Sequence, residues 1–398
     1  MRILVFSPIA PYPPHGGWPL VVYNDILHLA RRGHELYVLA ITHDENADPR
    51  ALSAATLARY YHVPRSARWR RLLSNVGCSL PFNISRYYNR DLLNTAAELI
   101  TTHHIDVLLL EDVAMGTYGP PLRSRYNTPF VIRGHNVDTE VFERFVTQTT
   151  SPVQRFAARW QLSKLTRYER NILREADAIS MITERDAEEI RRRFPELKPV
   201  VVGAGTDLQR YRPPAAPRDP FTIVHVGSLS AFTKLEAMQW FVRSVLPRIR
   251  AAQPSARLVL AGQTPPDAFA GCEGVEVLGR VDDERPCLHL GRVFVAPQFV
   301  GSGVRLKILN AMATGNAIVC TRVACEGIPL QHERHAMICD EASGFASAVL
   351  RLLHDSDLAA RLGANARRMA EERYNWSTIA EQLEALLSSA LRRRGHIE

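Results

Sequence analysis

Short β-branched or leucine-rich runs alternate with longer amphipathic stretches along most of this chain, and the whole alternation occurs twice. RILVF (2–6), ELYVLAI (35–41), DVLLLE (106–111), PFVIR (129–133), AISMI (178–182) and VVGAG (201–205) read as strands in the first half. TIVHV (222–226), RLVLAG (257–262), VEVL (275–278), VFVAP (293–297), AIVCT (317–321) and AMIC (336–339) do so in the second. Continuous apolar strands separated by helical segments specify βαβ units and buried parallel sheets. At 398 residues the chain is too long for one ordinary core and suits two. The expected layout is a Rossmann-like domain over 1–212, a linker at 213–220 (PPAAPRDP), a second Rossmann-like domain over 221–373, and a helix with a basic tail over 374–398. Prolines break periodicity in the linker, while Trp376, Ile379, Leu383 and Leu387 recur at helical spacing in the last segment.

Composition narrows the class. Hydrophobic residues make up 46% and charged residues 23%, and no apolar run reaches the ~18–20 residues of a membrane span. MRILVFSPIAPYPP lacks the long apolar core of a signal peptide, which leads to the expectation of a cytoplasmic protein. The six cysteines show no CxxC pair and no histidines at zinc spacing, so free thiols and no metal are expected. Net charge is +8, with basic clusters at Arg65–Arg71 around Trp69, between Arg155 and Arg174, and at Arg191–Arg193 and Arg392–Arg394. Such clusters suit a solvated face, or peripheral contact with anionic lipid; no motif for nucleic acid accompanies them.

Open parallel sheets bind ligands at the carboxyl ends of their strands, so chemistry is sought in the loops that follow them. APYPPHGGW brings Gly16 and Gly17, which permit close backbone approach or serve a plain turn. RGHNVD brings His135 and Asn136, an imidazole with a polar neighbour, equally able to be structural. VGSLSAFTK brings Gly227, Ser228 and Lys234. QFVGSGVRLK brings Gly301, Ser302 and Gly303 at the start of a helix, followed by Arg305 and Lys307. A cationic pair at a helix start opposes the macrodipole, so helix stability gives no reason for it, whereas a bound anion does. On a regular helix Gly303, Lys307 and Asn310 share one face.

These same residues carry a resemblance. MRILVFSPIAPYPPHGGW, RGHNVDTEVF, VVGAGTDLQRYRP, VGSLSAFTKLEAMQWF and VFVAPQFVGSGVRLKILNAMATGNAIV with CEGI resemble, over nearly the full length, a GT-B retaining glycosyltransferase of family four, in the branch with a GSG-x-RLK loop. The resemblance implies two facing Rossmann-like domains, the first on the acceptor side and the second binding a nucleotide sugar, with the last helix returning to the first. It implies transfer of a sugar from a nucleoside diphosphate sugar to an acceptor hydroxyl with retention, as in cell-surface glycan or polysaccharide synthesis on a glycan or lipid-linked acceptor. No metal or other cofactor is implied, since Arg305 and Lys307 stand where a divalent cation would neutralise the leaving diphosphate. His135, Arg305 and Lys307 take catalytic roles; Gly16, Gly17, Asn136, Gly227, Ser228, Lys234, Arg280, Ser302, Gly303, Asn310 and Glu326 bind substrate.

Two departures stand out. Many members carry two glutamates where this chain has Ser302 and Asn310, and the usual Arg after Gly227-Ser228 is missing, with Lys234 the nearest base. Asn310 is expected to reach the ribose as a neutral amide, relieving repulsion between a glutamate and the diphosphate. An inactive nucleotide-sugar-binding or assembly protein, and a nucleotide-sugar epimerase, stay open as other readings.

Overall fold

The computed structural model describes residues 1–14, 17–63, 78, 80–148, 151–265, 267–300 and 303–395. They form two compact units, Met1–Gly203 with Ser377–Glu398, and Ala204–Trp376.

The first unit is built on a seven-stranded parallel sheet: β1 (Arg2–Ser7), β2 (Glu35–Thr42), β3 (Leu57–His62), β4 (Val107–Glu111), β5 (Phe130–Gly134), β6 (Ala178–Met181) and β7 (Val200–Val201), in the order β3-β2-β1-β4-β5-β6-β7. The second holds a six-stranded parallel sheet: β8 (Asp219–Val226), β9 (Arg257–Ala261), β10 (Val275–Gly279), β11 (Gly291–Ala296), β12 (Ala317–Cys320) and β13 (Met337–Ile338), ordered β10-β9-β8-β11-β12-β13. Central strands such as Ile3–Phe6, Val107–Leu110 and Val293–Ala296 are wholly buried, which is why they read as unbroken apolar runs. Two Rossmann-like sheets of this kind make an α/β fold of two doubly wound units.

Three sequence expectations need correction. Strand β3, LARYYH, escapes the sequence reading because it is a partly exposed edge strand whose residues carry no apolar run. VVGAG forms little of the expected strand: after Val201 the carbonyls of Val202 and Gly203 accept the Arg133 guanidinium, each at 2.8 Å, instead of a neighbouring strand. The proline-rich 213–220 segment lies inside the second unit, with Asp219 and Pro220 already in β8. The second unit starts earlier because Thr206 N–H bonds the Tyr374 carbonyl at 2.7 Å, tying 204–206 to the end of that unit.

The final helix, Trp376–Arg393, is secured to the first unit by side chains that sequence alone does not pair. Arg32 meets Glu381 and Glu384 at 3.1 and 2.5 Å, and the Arg394 guanidinium donates to Asp177 at 2.7 Å. All six cysteines are free thiols, and among the described residues no helix is long and apolar enough to cross a membrane.

In each sheet the chain leaves the middle in both directions, β1 flanked by β2 and β4, β8 by β9 and β11. Loops after these strands diverge and open a crevice at their carboxyl ends. The loops singled out above follow β1, β5, β8 and β11, so the fold places them at these ends.

Candidate active site

In the second unit the site grows from two glycine turns. Gly227, just past β8, has φ +137°, and its amide donates to Ala261 O at 2.8 Å. A β-carbon on Gly262, whose φ is +133°, would collide with the Gly227 carbonyl, so both positions need glycine for the loops after β8 and β9 to touch. Across Gly227 lies Lys307: a β-carbon at 227 would sit 3.5 Å from its Cδ and 3.9 Å from its Nζ.

Lys307 belongs to the helix Leu306–Ala313, which follows β11 and carries neither an acidic residue in its first turn nor a side-chain cap. The sequence reading placed Gly303 on this helix; it lies before it, left-handed at φ +75°, with Arg305 extended at φ −90°, ψ 94°. The shared face therefore reduces to Lys307 and Asn310. Gly303 instead presents its carbonyl to Arg305 Nη1 at 2.6 Å. Gly301 and Ser302 lie outside the described residues, as does Gly16.

Nζ of Lys307 stands 3.4 Å from Nε2 of the buried His225, in β8. The other ring nitrogen, Nδ1, is 2.8 Å from the Val295 carbonyl, which can only accept, so Nδ1 carries the proton and Nε2 is left to accept from Lys307. Burial, then the Lys307 charge, push His225 well below its ordinary range and keep it neutral. Burial also pushes the half-buried Lys307 down to about 7, with Lys234 and Arg305 adding repulsion and Glu284 opposing it. Three basic side chains, two of them fully charged, thus face one carboxylate around an uncapped helix start, and the arrangement favours an anion.

Asn310 departs from its expected role. Its side chain is buried, Thr206 Oγ1 donates to its Oδ1 at 2.8 Å, and its Nδ2 donates to Glu284 Oε1 at 2.6 Å, an oxygen that also accepts from Tyr211 at 2.8 Å. The neutral amide is thereby spoken for inside the protein, and the carboxylate near Lys307 comes from position 284. His225 and Glu284 were not found by sequence reasoning. His225 had a signal, a histidine inside an otherwise apolar strand; Glu284, one acid among DDER, had none.

Of the remaining second-unit candidates, Ser228 adjoins Gly227 and Lys234 lies close enough to repel Lys307. Ser228 is exposed and pairs with Ser230 at 2.8 Å; Lys234 and Arg280 are exposed; Glu326 is half-buried beside Gly327, whose φ is +82°.

In the first unit His135 is buried at the end of β5, its Nε2 2.9 Å from Glu111 Oε2 at the end of β4. Trp18 packs against the imidazole at 5.3 Å between ring centres, so the helix opened by Gly17 is brought to His135, with Asn136 half-buried alongside. Open space surrounds Gly17 itself, so no close approach requires glycine there among the described residues. Below the pair, Arg133 Nε donates to Asp25 at 2.6 Å and lies 4.0 Å from Glu111. Burial, partly offset by Arg133, pushes both carboxyls up to about 7, and burial with the Arg133 charge pushes His135 down to about 3. At neutral pH the imidazole is uncharged and acts as a hydrogen-bonding group. The RSARWRR cluster with Trp69 lies outside the described residues.

Residues 15–210 match the family model described as Glycosyltransferase Family 4, and residues 220–355 match Glycosyl transferases group 1. A phosphatidyl-myo-inositol mannosyltransferase of Mycolicibacterium smegmatis is 26% identical over 42% of this chain and 45% of its own length. One from Propionibacterium freudenreichii is 27% identical over 52% and 54%. The chain thus matches about half the length of these curated relatives. Among solved structures, a sucrose-phosphate synthase from Thermosynechococcus elongatus superposes with TM-score 0.71 at 18% identity, covering 99% of this chain and all of the other. Anabaena HepE in complex with UDP gives 0.71 at 16% identity over 98% and 100%. At these identities the structures speak for the fold.

Two outcomes follow from the geometry. A carboxyl raised from 4.5 to about 7 binds more protons folded than unfolded, so its contribution to stability is complete below pH 4.5 and lost as pH rises through 7. His135 and Lys307, both depressed by burial, act oppositely, each losing stability as pH falls through its ordinary range, so the Glu111 contribution is read as a difference between the protein and a variant at that position. From about pH 6.5 to 8.5 the protein should lose melting temperature relative to Glu111→Gln; identical pH dependence in the two contradicts the assignment. Asn310→Ala should cost about 1–3 kcal/mol through the partners it strands, whereas Asn310→Glu should be worse at pH 8, where two carboxylates meet, and recover in the double variant with Glu284→Gln. Thermal melting of the three variants decides this; no recovery in the double variant contradicts it.

Proposed function

The chain belongs to the family-four glycosyltransferases of GT-B fold, and we propose that it moves a sugar from a nucleoside diphosphate sugar to an acceptor hydroxyl with the anomeric configuration retained. The observation that carries this reading is Lys307, held beside His225 over the Gly227 turn and short of negative charge. A diphosphate at this helix start would gain charge-assisted bonds from Lys307 and Arg305 and would restore the lysine's charge. As the glycosidic bond breaks, negative charge grows on the leaving diphosphate, and the same two cations stabilise it more strongly than in the ground state. No divalent metal is needed for that role. Gly227, Ser228, Lys234, Arg280, Gly303 and Glu326 are assigned to the donor, with Asn310 acting through Glu284.

On the acceptor side, His135 with its Glu111 partner, Gly17 and Asn136 are assigned to positioning the hydroxyl. Neutral at physiological pH, His135 can accept from or donate to that hydroxyl through whichever ring nitrogen is not turned to Glu111. The curated relatives named for phosphatidyl-myo-inositol support a lipid-linked or surface-glycan acceptor, reached by a cytoplasmic protein.

Incubation with a panel of UDP- and GDP-sugars without acceptor should reveal slow release of nucleoside diphosphate from one donor. Replacing Arg305 or Lys307 by Ala should weaken diphosphate binding about tenfold or more, since each charge-assisted contact is worth ~1.5–3 kcal/mol. Unchanged affinity in both variants contradicts the assignment. Tight nucleotide binding without turnover of any donor, even with lipid extracts as acceptor, would replace transfer by a nucleotide-sugar-binding role.

A further inference from the structure

Two packed helices of the first unit, Asp138–Gln148 and Pro152–Glu175, leave large apolar side chains in solvent. Phe156 is 78% exposed, Phe145 57%, Val141 46% and Trp160 41%. The spacing is regular: Val141 and Phe145 are one turn apart on the first helix, and Phe156 and Trp160 one turn apart on the second, with Phe145 and Phe156 flanking the connection between the helices. Isolated exposed apolar residues are ordinary, but aromatic residues collected on one helix pair mark an interaction face.

Charge identifies the partner. The second helix carries Arg155, Arg159, Lys164, Arg167, Arg170 and Arg174 against only Glu169 and Glu175. Glu169 is buried and turned inward, accepting from the backbone of Asp138 and Thr139. On the first helix Glu140 is held by Arg144 and Arg185 at 2.6 and 2.5 Å, and Glu143 by Arg193 at 2.6 Å, so these two carboxylates are neutralised locally. Lys164 Nζ sits 3.9 Å from the centre of the Trp160 ring and donates to the Cys78 carbonyl at 2.7 Å, which fixes a tryptophan under an ammonium at the edge of this face.

We propose that this helix pair is a docking face for an anionic lipid bilayer, with Phe145, Phe156 and Trp160 entering the headgroup–acyl boundary and Arg155, Arg159 and Arg167 meeting lipid phosphates. Aromatic side chains flanked by arginine and lysine are the combination that partitions to such an interface, and the attraction adds per basic residue within a Debye length of the surface. The face is independent of the donor site, so it stands or falls separately from the transfer reaction. It would hold the first unit against the membrane and allow the protein to act on hydroxyls presented there.

Sedimentation of the full-length protein with vesicles of phosphatidylcholine alone, or with about 30% phosphatidylglycerol, tests this. Binding to the anionic vesicles should be at least about tenfold stronger and should weaken without vanishing at high salt. Phe145→Ser with Phe156→Ser should lower it severalfold with melting temperature and nucleotide affinity unchanged, and Arg155→Glu with Arg159→Glu should remove the preference for anionic vesicles. Equal binding to both vesicle types, or full binding by the serine variant, overturns the proposal. So does a lipid-free dimer that the serine substitutions convert to monomer, because the face would then be covered by a second copy of the chain.

Discussion

The approach of Lys307 to His225 across a residue without a side chain is the contact on which the rest of the site depends. It requires glycine at 227, where a side chain would be strained at φ +137°. It requires His225 with its proton on Nδ1, which the Val295 carbonyl fixes from the neighbouring strand. The result is a lysine kept close to neutrality by burial and by two other cations, ready to become charged when an anion arrives. Strand, turn and helix start are thus coordinated around one ammonium.

Glu284 is the counterweight. Its carboxylate opposes the cations yet is itself restrained by Asn310 and Tyr211, so it lends charge without being free to pair with Lys307 outright. An aspartate or glutamate at 310 would set two carboxylates against each other, and the neutral amide resolves that conflict inside the protein. The first unit shows a related economy: Arg133 serves Asp25, Glu111 and the carbonyls of Val202 and Gly203 together, which leaves His135 neutral and oriented.

Much of this was legible from the amino acids. Buried parallel strands announce themselves because both faces are apolar, so eleven of the thirteen strands among the described residues lie wholly or mostly within the expected runs, and β7 lies at the edge of one. The GSG-x-RLK segment drew the proposal of an anion site because cations at a helix start have no local justification. What stayed hidden depends on contacts between residues far apart in sequence. Edge strand β3 has an ordinary polar composition; Glu284 meets Asn310 only because the loop after β10 folds back over the helix that starts at Leu306. The unit boundary was misplaced for the same reason, since no local pattern betrays the bond from Thr206 to Tyr374.

The central claim is that Lys307, lowered by burial to about 7, is largely unprotonated at pH 8 in the empty site and gains its proton with the diphosphate. Calorimetric titration with UDP and with GDP at pH 8, in buffers of differing ionisation enthalpy, measures that proton directly. A lysine whose pKa rises from about 7 to well above 8 should take up roughly one proton per nucleotide bound. Uptake should disappear in Lys307→Met. Tight binding with no dependence on buffer, or the same uptake in the variant, would contradict the account.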